Sequence, residues 1–450
     1  MFSAFINSFK IPDLRKKIVF TIGLVFICRL VTSVPTPGVD AEALSIMIKR
    51  IAEQAGGGFL GWADLFSGGA LSQCAVGALS IWPYISASII LQLMTAIFPF
   101  LERLAREGES GRQKLNQYTR YLTLIICCIQ AFVLAQGLKN PSSLGLTENV
   151  VKWDGWGFYP MTMITMTTGT MLLMWLGEQI SERGIGNGIS IIIMVNIVSR
   201  LPQAVGAAKN MLASSAAGSS QINVFHLVFL VAMVFLVTAG TIALTQGQRN
   251  VPIHTTKRVI GRKVYGGQNT YMPLRVNYSG VMPIIFAGAL IAFPSVLLQK
   301  LPWVTFKRIG AAFGFGEPLY LVGEGLLILF FSYFWVATQF NPVQIADDLK
   351  RNGGYVPGIR PGLPTAEYLD KTMTRITLVG AIFLTIIAIL PSIMAMRFRV
   401  PWVVASFMGG TSLLIIVGVA LDTMRQIESQ LLMRNYDGFL RKGRIRGRRQ

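Results

Sequence analysis

The stretch from Leu65 to Phe98 reads LFSGGALSQCAVGALSIWPYISASIILQLMTAIF and contains no charged residue. A helix needs about 20 apolar residues to cross the hydrocarbon core of a bilayer, so a stretch of this length is sufficient. Inside lipid, every backbone polar group must find a partner within its own segment, which favours a helix. The stretch therefore predicts a helical membrane protein.

The rest of the chain has the same character. Of its 450 residues, 52% are hydrophobic and 14% are charged, and the apolar residues fall in long blocks between short polar loops. We predict ten transmembrane spans from these blocks. Their approximate bounds are Ile18–Val34, an interrupted second span of Trp62–Ser72 and Val76–Phe98, Tyr118–Leu138, Tyr159–Leu176, Gly188–Val205, Val224–Thr245, Gly280–Leu298, Tyr320–Phe340, Ile376–Met394 and Trp402–Leu421.

The net charge of +20 is compatible with nucleic-acid binding, but the placement of Lys and Arg favours membrane orientation. With both termini assigned to the cytoplasm, 29 of the 41 basic residues lie in cytoplasmic segments and 11 lie in outer loops, with Arg29 inside the first span. Basic residues collect on the cytoplasmic side of membrane proteins. We therefore predict a multi-pass protein with cytoplasmic termini, and we expect no cleavable signal peptide.

Two long cytoplasmic loops are predicted, at residues 246–279 and 341–374. The first contains six basic residues and no acidic one, and the second is rich in Pro and Gly. Long loops in compact domains often carry function, which favours a docking surface. A solvated tether held near anionic lipid is an equally supported explanation.

The sequence lacks the residue patterns of an enzyme or a metal protein. The four cysteines are Cys28, Cys74, Cys127 and Cys128, and neither a disulfide framework nor a metal site is expected from them. No phosphate-binding loop and no nucleophile with its base is recognisable. We therefore expect neither catalysis nor a cofactor.

Charges inside the predicted spans are few. Arg29 and Glu324 lie near the outer ends of spans one and eight. Charged residues in lipid are costly and often functional, although both of these are close enough to the interface for a structural role. No carboxylate lies at the midpoint of a span, where an ion-coupled transporter often needs one.

The piece Leu65–Ser72 is apolar but too short to cross a bilayer, and its adjacent Gly68 and Gly69 weaken it as a helix. Irregular backbone at membrane depth persists only where protein buries it or where it lines a cavity. This favours a short re-entrant element inside a pore, with an outer interfacial helix as the alternative. Further on, Ile81 and Ile85 share one helix face, and Pro83 between them can kink the span.

Six segments resemble the SecY/Sec61α family of protein-conducting channels, in its bacterial form, over essentially the whole chain. They are 65–92, Arg29 with VPTPGVD at 34–40, GESGR at 108–112, RGIGNGISIII at 183–193, VPGIRPG at 356–362 and GGTSLLI at 409–415.

The resemblance implies an all-α integral membrane protein whose ten transmembrane helices form two pseudo-symmetric five-helix halves around a central pore. The halves would be residues 1–206 and 207–425, followed by a basic cytoplasmic tail at 426–450. By the same resemblance, spans two and seven would form a lateral gate and residues 62–74 a plug. The implied plug residues are Leu65, Phe66, Ser67, Gly68, Gly69, Ala70 and Leu71, and the implied apolar pore ring is Ile81, Ile85, Ile189, Ile193, Ile285 and Ile415.

The resemblance also implies function and partners. Such a channel passes unfolded secretory polypeptides across the bacterial inner membrane and releases transmembrane segments sideways into lipid. Its partners would be SecE and a SecG-like subunit, the SecA motor ATPase, the translating ribosome, and signal peptides of nascent chains. A homodimer is compatible with it. Docking of motor or ribosome would involve Arg262, Lys263 and Arg360.

Two other classes of function would each require residues in a particular arrangement. A secondary transporter of small solutes would need a cluster of polar groups at the membrane midplane, and the six isoleucines of the implied ring argue against one. A membrane enzyme would need a catalytic constellation that the sequence lacks.

Overall fold

The computed structural model describes most of the chain, and the helices and strands form two compact units. The first unit contains residues 1–206 and 419–450, and the second contains residues 207–418. The described residues are 11–54, 58–140, 150–153, 155–216, 224–255, 258–260, 263–265, 269–288, 290–291, 308, 310, 312–313, 317–398, 402–408 and 410–442.

The first unit is helical. Its elements in chain order are α1 (Pro12–Ser33), α2 (Ala41–Gln54), α3 (Gly58–Ser67), α4 (Trp82–Ile97), α5 (Pro99–Arg106), α6 (Glu109–Lys139), α7 (Phe158–Arg183), α8 (Gly188–Ser199) and the start of α9 (Leu201–Ala216).

The second unit contains helices and a small amount of sheet, and residues 282–288 are also helical. Its named elements are α10 (Val224–Gln246), β1 (Gln248–Thr255), β2 (Arg258–Ile260), β3 (Lys263–Tyr265), β4 (Asn269–Arg275), α11 (Pro318–Gln339), α12 (Pro342–Arg351), β5 (Gly354–Tyr355), α13 (Leu363–Phe398), α14 (Trp402–Met408) and the start of α15 (Gly410–Lys442).

Each unit has its own apolar core. In the first, α2, α6 and α7 pack around the segment that follows α3, with Leu44, Cys74, Ala131 and Phe158 among the buried residues. In the second, α10, α11, α13 and α15 contribute another buried cluster that includes Ile328 and Leu414.

Several helices are long and apolar enough to cross a membrane. Within the described residues, five helical stretches meet that criterion: Glu109–Lys139, Gly188–Asn210, Pro318–Arg351, Leu363–Met394 and Val404–Leu431. The other predicted spans overlap helices in part or in full, although much of span seven lies outside the described residues. The chain is therefore a mostly helical membrane protein, and the total of ten spans stays a prediction.

The second predicted span starts later than the sequence suggested. Residues 68–81 form turns, and α4 begins only at Trp82, with Pro83 in its first turn. Proline lacks an N–H group that the first turn of a helix leaves unpaired anyway, so it favours a helix start. The prediction of a kink at Pro83 is therefore wrong. The sharp bend comes at the other end, where Trp82–Thr95 and Pro99–Ala105 differ in direction by 105°.

The loop predicted at 246–279 contains sheet, so the prediction of an all-α chain is wrong there. β1 pairs antiparallel with β4 and, through two residue pairs, with β5. Strand residues Val251 and Leu274 are buried with Val336 and Phe340 of α11, and with Leu369 of α13. This apolar contact anchors the sheet to the ends of two long helices of the same unit.

The second predicted loop, 341–374, is also largely ordered. It contains α12 and β5, and α13 already begins at Leu363, well before the predicted span start at Ile376. Residues 356–362 form a turn between β5 and α13, with Gly358 and Gly362 at φ angles of 79° and 104°. Glycine adopts such left-handed angles without strain, which explains a tight turn at this place.

Candidate pore and plug

The predicted plug lies in the interior of the first unit. α3 ends at Ser67, and of the seven predicted plug residues all are buried except Gly69, which is half-buried. Ala70 is completely inaccessible to solvent. This burial favours the re-entrant interpretation of the segment over a helix on the outer membrane surface.

A pair of glycines ends α3. Gly68 and Gly69 have φ angles of 66° and 95°, and their N–H groups donate to the carbonyls of Leu65 and Asp64. The hydroxyl of Ser67 then accepts a hydrogen bond from Leu71 N at 3.1 Å. Left-handed glycine at a helix end is a common way to turn the chain and satisfy the last carbonyls.

The turns after the plug are tied to the end of α1. Thr36 N donates to Cys74 O at 2.9 Å, and Val76 N donates to Val34 O at 2.8 Å. The backbone beyond Cys74 is therefore fixed to its neighbour. These bonds leave the residues before Cys74 as the part of the segment that a moving plug would contain.

Asn196 of α8 contacts the plug from one side. Its Nδ2 donates to Phe66 O at 3.2 Å and to Ser80 Oγ at 3.1 Å. Its Oδ1 accepts from Arg29 Nη1 at 3.2 Å, and Arg29 Nη2 lies 3.4 Å from the carbonyl oxygen of Gly68. Arg29, an unassigned intramembrane charge in the sequence, thus holds the plug backbone together with Asn196.

An ion pair holds the plug from the same helix. Arg200, the residue that caps the end of α8, pairs with Asp64 of α3 and also donates to Ser72 Oγ at 3.1 Å. Asp64 Oδ1 accepts from Ser72 N at 2.8 Å. Both side chains are largely buried, 10% and 13% exposed. A pair this deep is costly to break, because the partner left behind is an uncompensated buried charge.

Sequence reasoning missed three residues of this network. It gave no role to Arg200 and Asn196, which both lie within the predicted fifth span, or to Asp64, which lies in the predicted plug at 62–74. A signal was available, because a charged residue within or beside an apolar membrane segment usually has a partner. The pairing itself required the fold, since residues 64 and 200 are far apart in sequence.

Four of the six predicted ring residues belong to the first unit. Ile81 precedes α4 and accepts a hydrogen bond from Ile85 N, and Ile189 and Ile193 lie one turn apart on α8. Asn187 caps α8 by accepting from the N–H groups of Ile189 and Ser190. Ile81, Ile85 and Ile193 are buried, and Ile189 is half-buried.

The other two ring residues belong to the second unit, where both are buried. Ile285 lies in the helical residues 282–288, and Ile415 lies in α15. The meeting of all six isoleucines in one ring stays a prediction.

The structure describes two of the three predicted docking residues. Arg262 lies outside the described residues, and Lys263 begins strand β3. Arg360 is exposed in the turn between Gly358 and Gly362, next to the anchored sheet. Exposed Arg249 and Arg275 lie at the same end of the β1–β4 ladder, and β5 pairs at its other end. Exposed basic residues therefore lie on the sheet and in the turn that follows it.

An electrostatic clamp closes the loop after α1. Lys152 Nζ lies 2.8 Å from Asp40 Oδ2, and Val39 forms a backbone bridge with Val151. The hydrogen bond from Lys152 and those from the N–H groups that begin α2 hold the pKa of Asp40 below its ordinary value. Lys152 is 70% exposed, so the clamp positions the loop but adds little stability.

Comparison with known sequences assigns the chain to a family. The SecY family matches residues 75–424. A protein translocase subunit SecY of Thermotoga maritima is 43% identical over 100% of both chains. The protein translocase subunit SecY of Escherichia coli K12 is 42% identical over 97% of this chain and 96% of its own.

Comparison with solved structures gives the same fold. A structure described as that of a protein conducting channel has a TM-score of 0.61 at 16% identity, and covers 92% of both chains. A SecY structure described by its plug domain, which stabilises the closed state, gives 0.56 at 17% identity over the same share of both chains. Sec61 in the canine ribosome-channel complex gives 0.57 at 15% identity, again over 92% of each chain.

Proposed function

The chain belongs to the SecY family of protein translocase subunits, and from this membership we propose how its residues conduct a polypeptide. As a member, it is a protein-conducting channel in a membrane. The observation that carries the finer proposal is the buried plug segment, which Arg29, Asn196 and Arg200 hold from one side. A segment held in this position would close the pore, and loss of these contacts would release it.

We propose that the six isoleucines form the waist of the pore. A narrow ring of aliphatic side chains sheds water and so blocks ions without binding them. Such a ring also yields to any passing sequence, because apolar contact has no directional requirement. The burial of Ile81, Ile85 and Ile193 supports this, as does the stacking of two ring positions on one face of α8.

The ten predicted spans would surround this waist as two halves of five, 1–206 and 207–425. Spans two and seven would separate to open a lateral gate toward lipid. A signal helix or transmembrane segment would then leave the pore sideways in proportion to its hydrophobicity. The exposed apolar faces of α6 and α11 supply surfaces suited to lipid contact.

The chain would work with partners, since nothing in its sequence supplies energy. We propose a clamp subunit like SecE, a small SecG-like subunit, and either a SecA-like motor or a ribosome docked on the cytoplasmic face. The exposed Arg360 turn and the sheet at its base offer positive charge to acidic protein or to phosphates. The relative from the canine complex is described as bound in a ribosome-channel complex, which supports a ribosome partner.

The proposed location is the bacterial inner membrane, with both termini in the cytoplasm. The distribution of 29 basic residues on that side against 11 on the other supports the orientation. The predicted docking sheet would then face the cytoplasm, where motor and ribosome are found.

Single-channel conductance in planar bilayers tests the plug. We would compare the full chain, carrying the subunits that copurify with it, with a variant that lacks residues 65–72. A silent intact channel and large, solute-unselective openings after deletion are expected. A silent deletion variant, or saturable transport of one solute by the intact chain, would contradict the plug and favour a small-solute transporter.

A further inference from the structure

Two of the three residues that hold the plug, Asn196 and Arg200, lie on one face of α8 with two residues of the proposed ring. Ile189, Ile193, Asn196 and Arg200 are spaced by four, three and four residues. With 3.6 residues per turn, such spacing keeps all four within one narrow stripe along the helix. Toward the end of the helix this stripe meets the plug through Asn196 and Arg200.

We propose that Asn196 and Arg200 are a latch that couples the ring to the plug through α8. A polypeptide entering the ring displaces Ile189 and Ile193, and with them the helix that carries the plug's partners. The plug then loses the Asp64–Arg200 ion pair and the Asn196 hydrogen bonds in the same movement. This inference rests on the proposed ring and plug and assigns the step that links them.

The end of α8 and the plug turn lie in close contact, which supports a latch between them. A Cβ atom at Gly69 would lie 2.9 Å from Cζ of Arg200, so the guanidinium lies directly against the plug backbone. Asp64 in turn binds the guanidinium and Ser72 N, which closes a loop of contacts across the plug turn. Movement of either element therefore breaks several bonds together.

The buried ion pair of the latch favours the state in which the plug is in place over the state in which it is released. The side chain of Arg200 is 10% exposed, and its partner Asp64 lies in the plug segment itself. Removal of either partner leaves the other as an uncompensated buried charge, which is more harmful than removal of both. The latch therefore predicts that single and double variants will differ in a definite order.

The first test measures open probability of the full chain in planar bilayers, without substrate. Arg200→Gln and Asp64→Asn should each raise the open probability by about tenfold or more, because each leaves a buried charge unpaired. The double variant Asp64→Asn with Arg200→Gln should fall closer to the intact channel than either single variant, since contacts in one network are not additive. The matched control is Glu178→Gln, which breaks the Arg120–Glu178 ion pair away from the plug.

The second test reads the position of the plug directly. The variant Leu71→Cys is made in a chain whose native cysteines are replaced. It is then labelled from the outer side with an impermeant thiol reagent. The intact latch should protect it without substrate and expose it when a polypeptide is arrested in the pore. Arg200→Gln should expose it without substrate.

The possible results distinguish failure of the latch proposal from failure of the plug proposal. If deletion of residues 65–72 opens the channel but Arg200→Gln changes neither conductance nor labelling, the latch is wrong and the plug stands. Equal conductance of the single and double variants would also contradict the latch. A silent deletion would contradict the proposed plug itself.

Discussion

Gly68 lies so close to Arg29 that a Cβ atom at position 68 would be 2.6 Å from Nη1 of the arginine. The same atom would lie 3.0 Å from Cα of Asn196, a backbone atom that would have to shift by a few tenths of an ångström. Gly68 also has a φ angle of 66°, which L side chains rarely adopt. The plug turn therefore requires glycine here for both conformation and space.

Gly68→Ala is expected to weaken the closed state. Left-handed backbone at a non-glycine residue costs about 1–3 kcal/mol, and the contact with Arg29 and Asn196 adds to it. We expect the open probability of the channel in planar bilayers to rise by roughly tenfold or more, since 1.4 kcal/mol corresponds to a factor of ten.

The matched control is Gly108→Ala. Gly108 has a φ angle of 81° but nothing within 4 Å of its Cβ position, so this variant shares the backbone strain without the crowding. It should leave conductance unchanged. Equal opening by both variants would mean that the plug contact is irrelevant to closure.

The ring makes a second prediction. Ile85→Ala and Ile193→Ala each remove apolar bulk from the proposed waist, so a plug-deleted channel should conduct ions more strongly with either change. The double variant should leak more than either single variant. Ile129→Ala, at a 60% exposed position on α6, is the control and should have no effect. Unaltered conductance in the double variant would remove these residues from the waist.

The positions of most helices could be predicted from the sequence, but the partners of the buried polar side chains could not. Most apolar blocks are long, so their helices could be predicted, and the predicted start of span five at Gly188 is where α8 begins. The start of α4 was missed because the preceding turns, 68–81, are as apolar as the helix. Hydrophobicity alone does not distinguish buried turns from buried helix.

Two other features needed tertiary structure. The sheet at 248–275 was predicted as a loop, because its strands contain Arg, Asn and Gln among few apolar residues. Among the strand residues in this range whose burial the structure describes, Val251 and Leu274 are the buried ones. The Asp64–Arg200 pair joins elements that the sequence separates widely. Periodicity predicts which face of an element is apolar, but it does not identify the partner of a buried charge.

The cap of α8 makes a third prediction. Asn187 accepts hydrogen bonds from the N–H groups of Ile189 and Ser190, so Asn187→Ala should destabilise the helix start by about 1 kcal/mol. The apparent melting temperature, recorded at one scan rate, should fall, whereas Asn187→Ser should retain most of the stability. An alanine variant as stable as the intact protein would show that the cap is dispensable.

The docking turn makes a fourth prediction. Arg360 is exposed, so Arg360→Glu should leave the fold intact and slow motor- or ribosome-driven translocation by about tenfold, with a smaller effect at high salt. Lys371→Glu makes the same change of charge at an exposed position on α13 and serves as the control. Equal slowing by both variants would indicate a general charge effect rather than docking at the turn.

The central claim is that a polypeptide passes through the ring of isoleucines. A photoreactive amino acid at Ile193, with Ile129 on the lipid-exposed face of α6 as the comparison site, tests it in membranes that hold an arrested secretory chain. Strong crosslinking of the arrested chain to position 193 and little to position 129 is expected. Crosslinking at position 193 no stronger than at position 129 would contradict the claim.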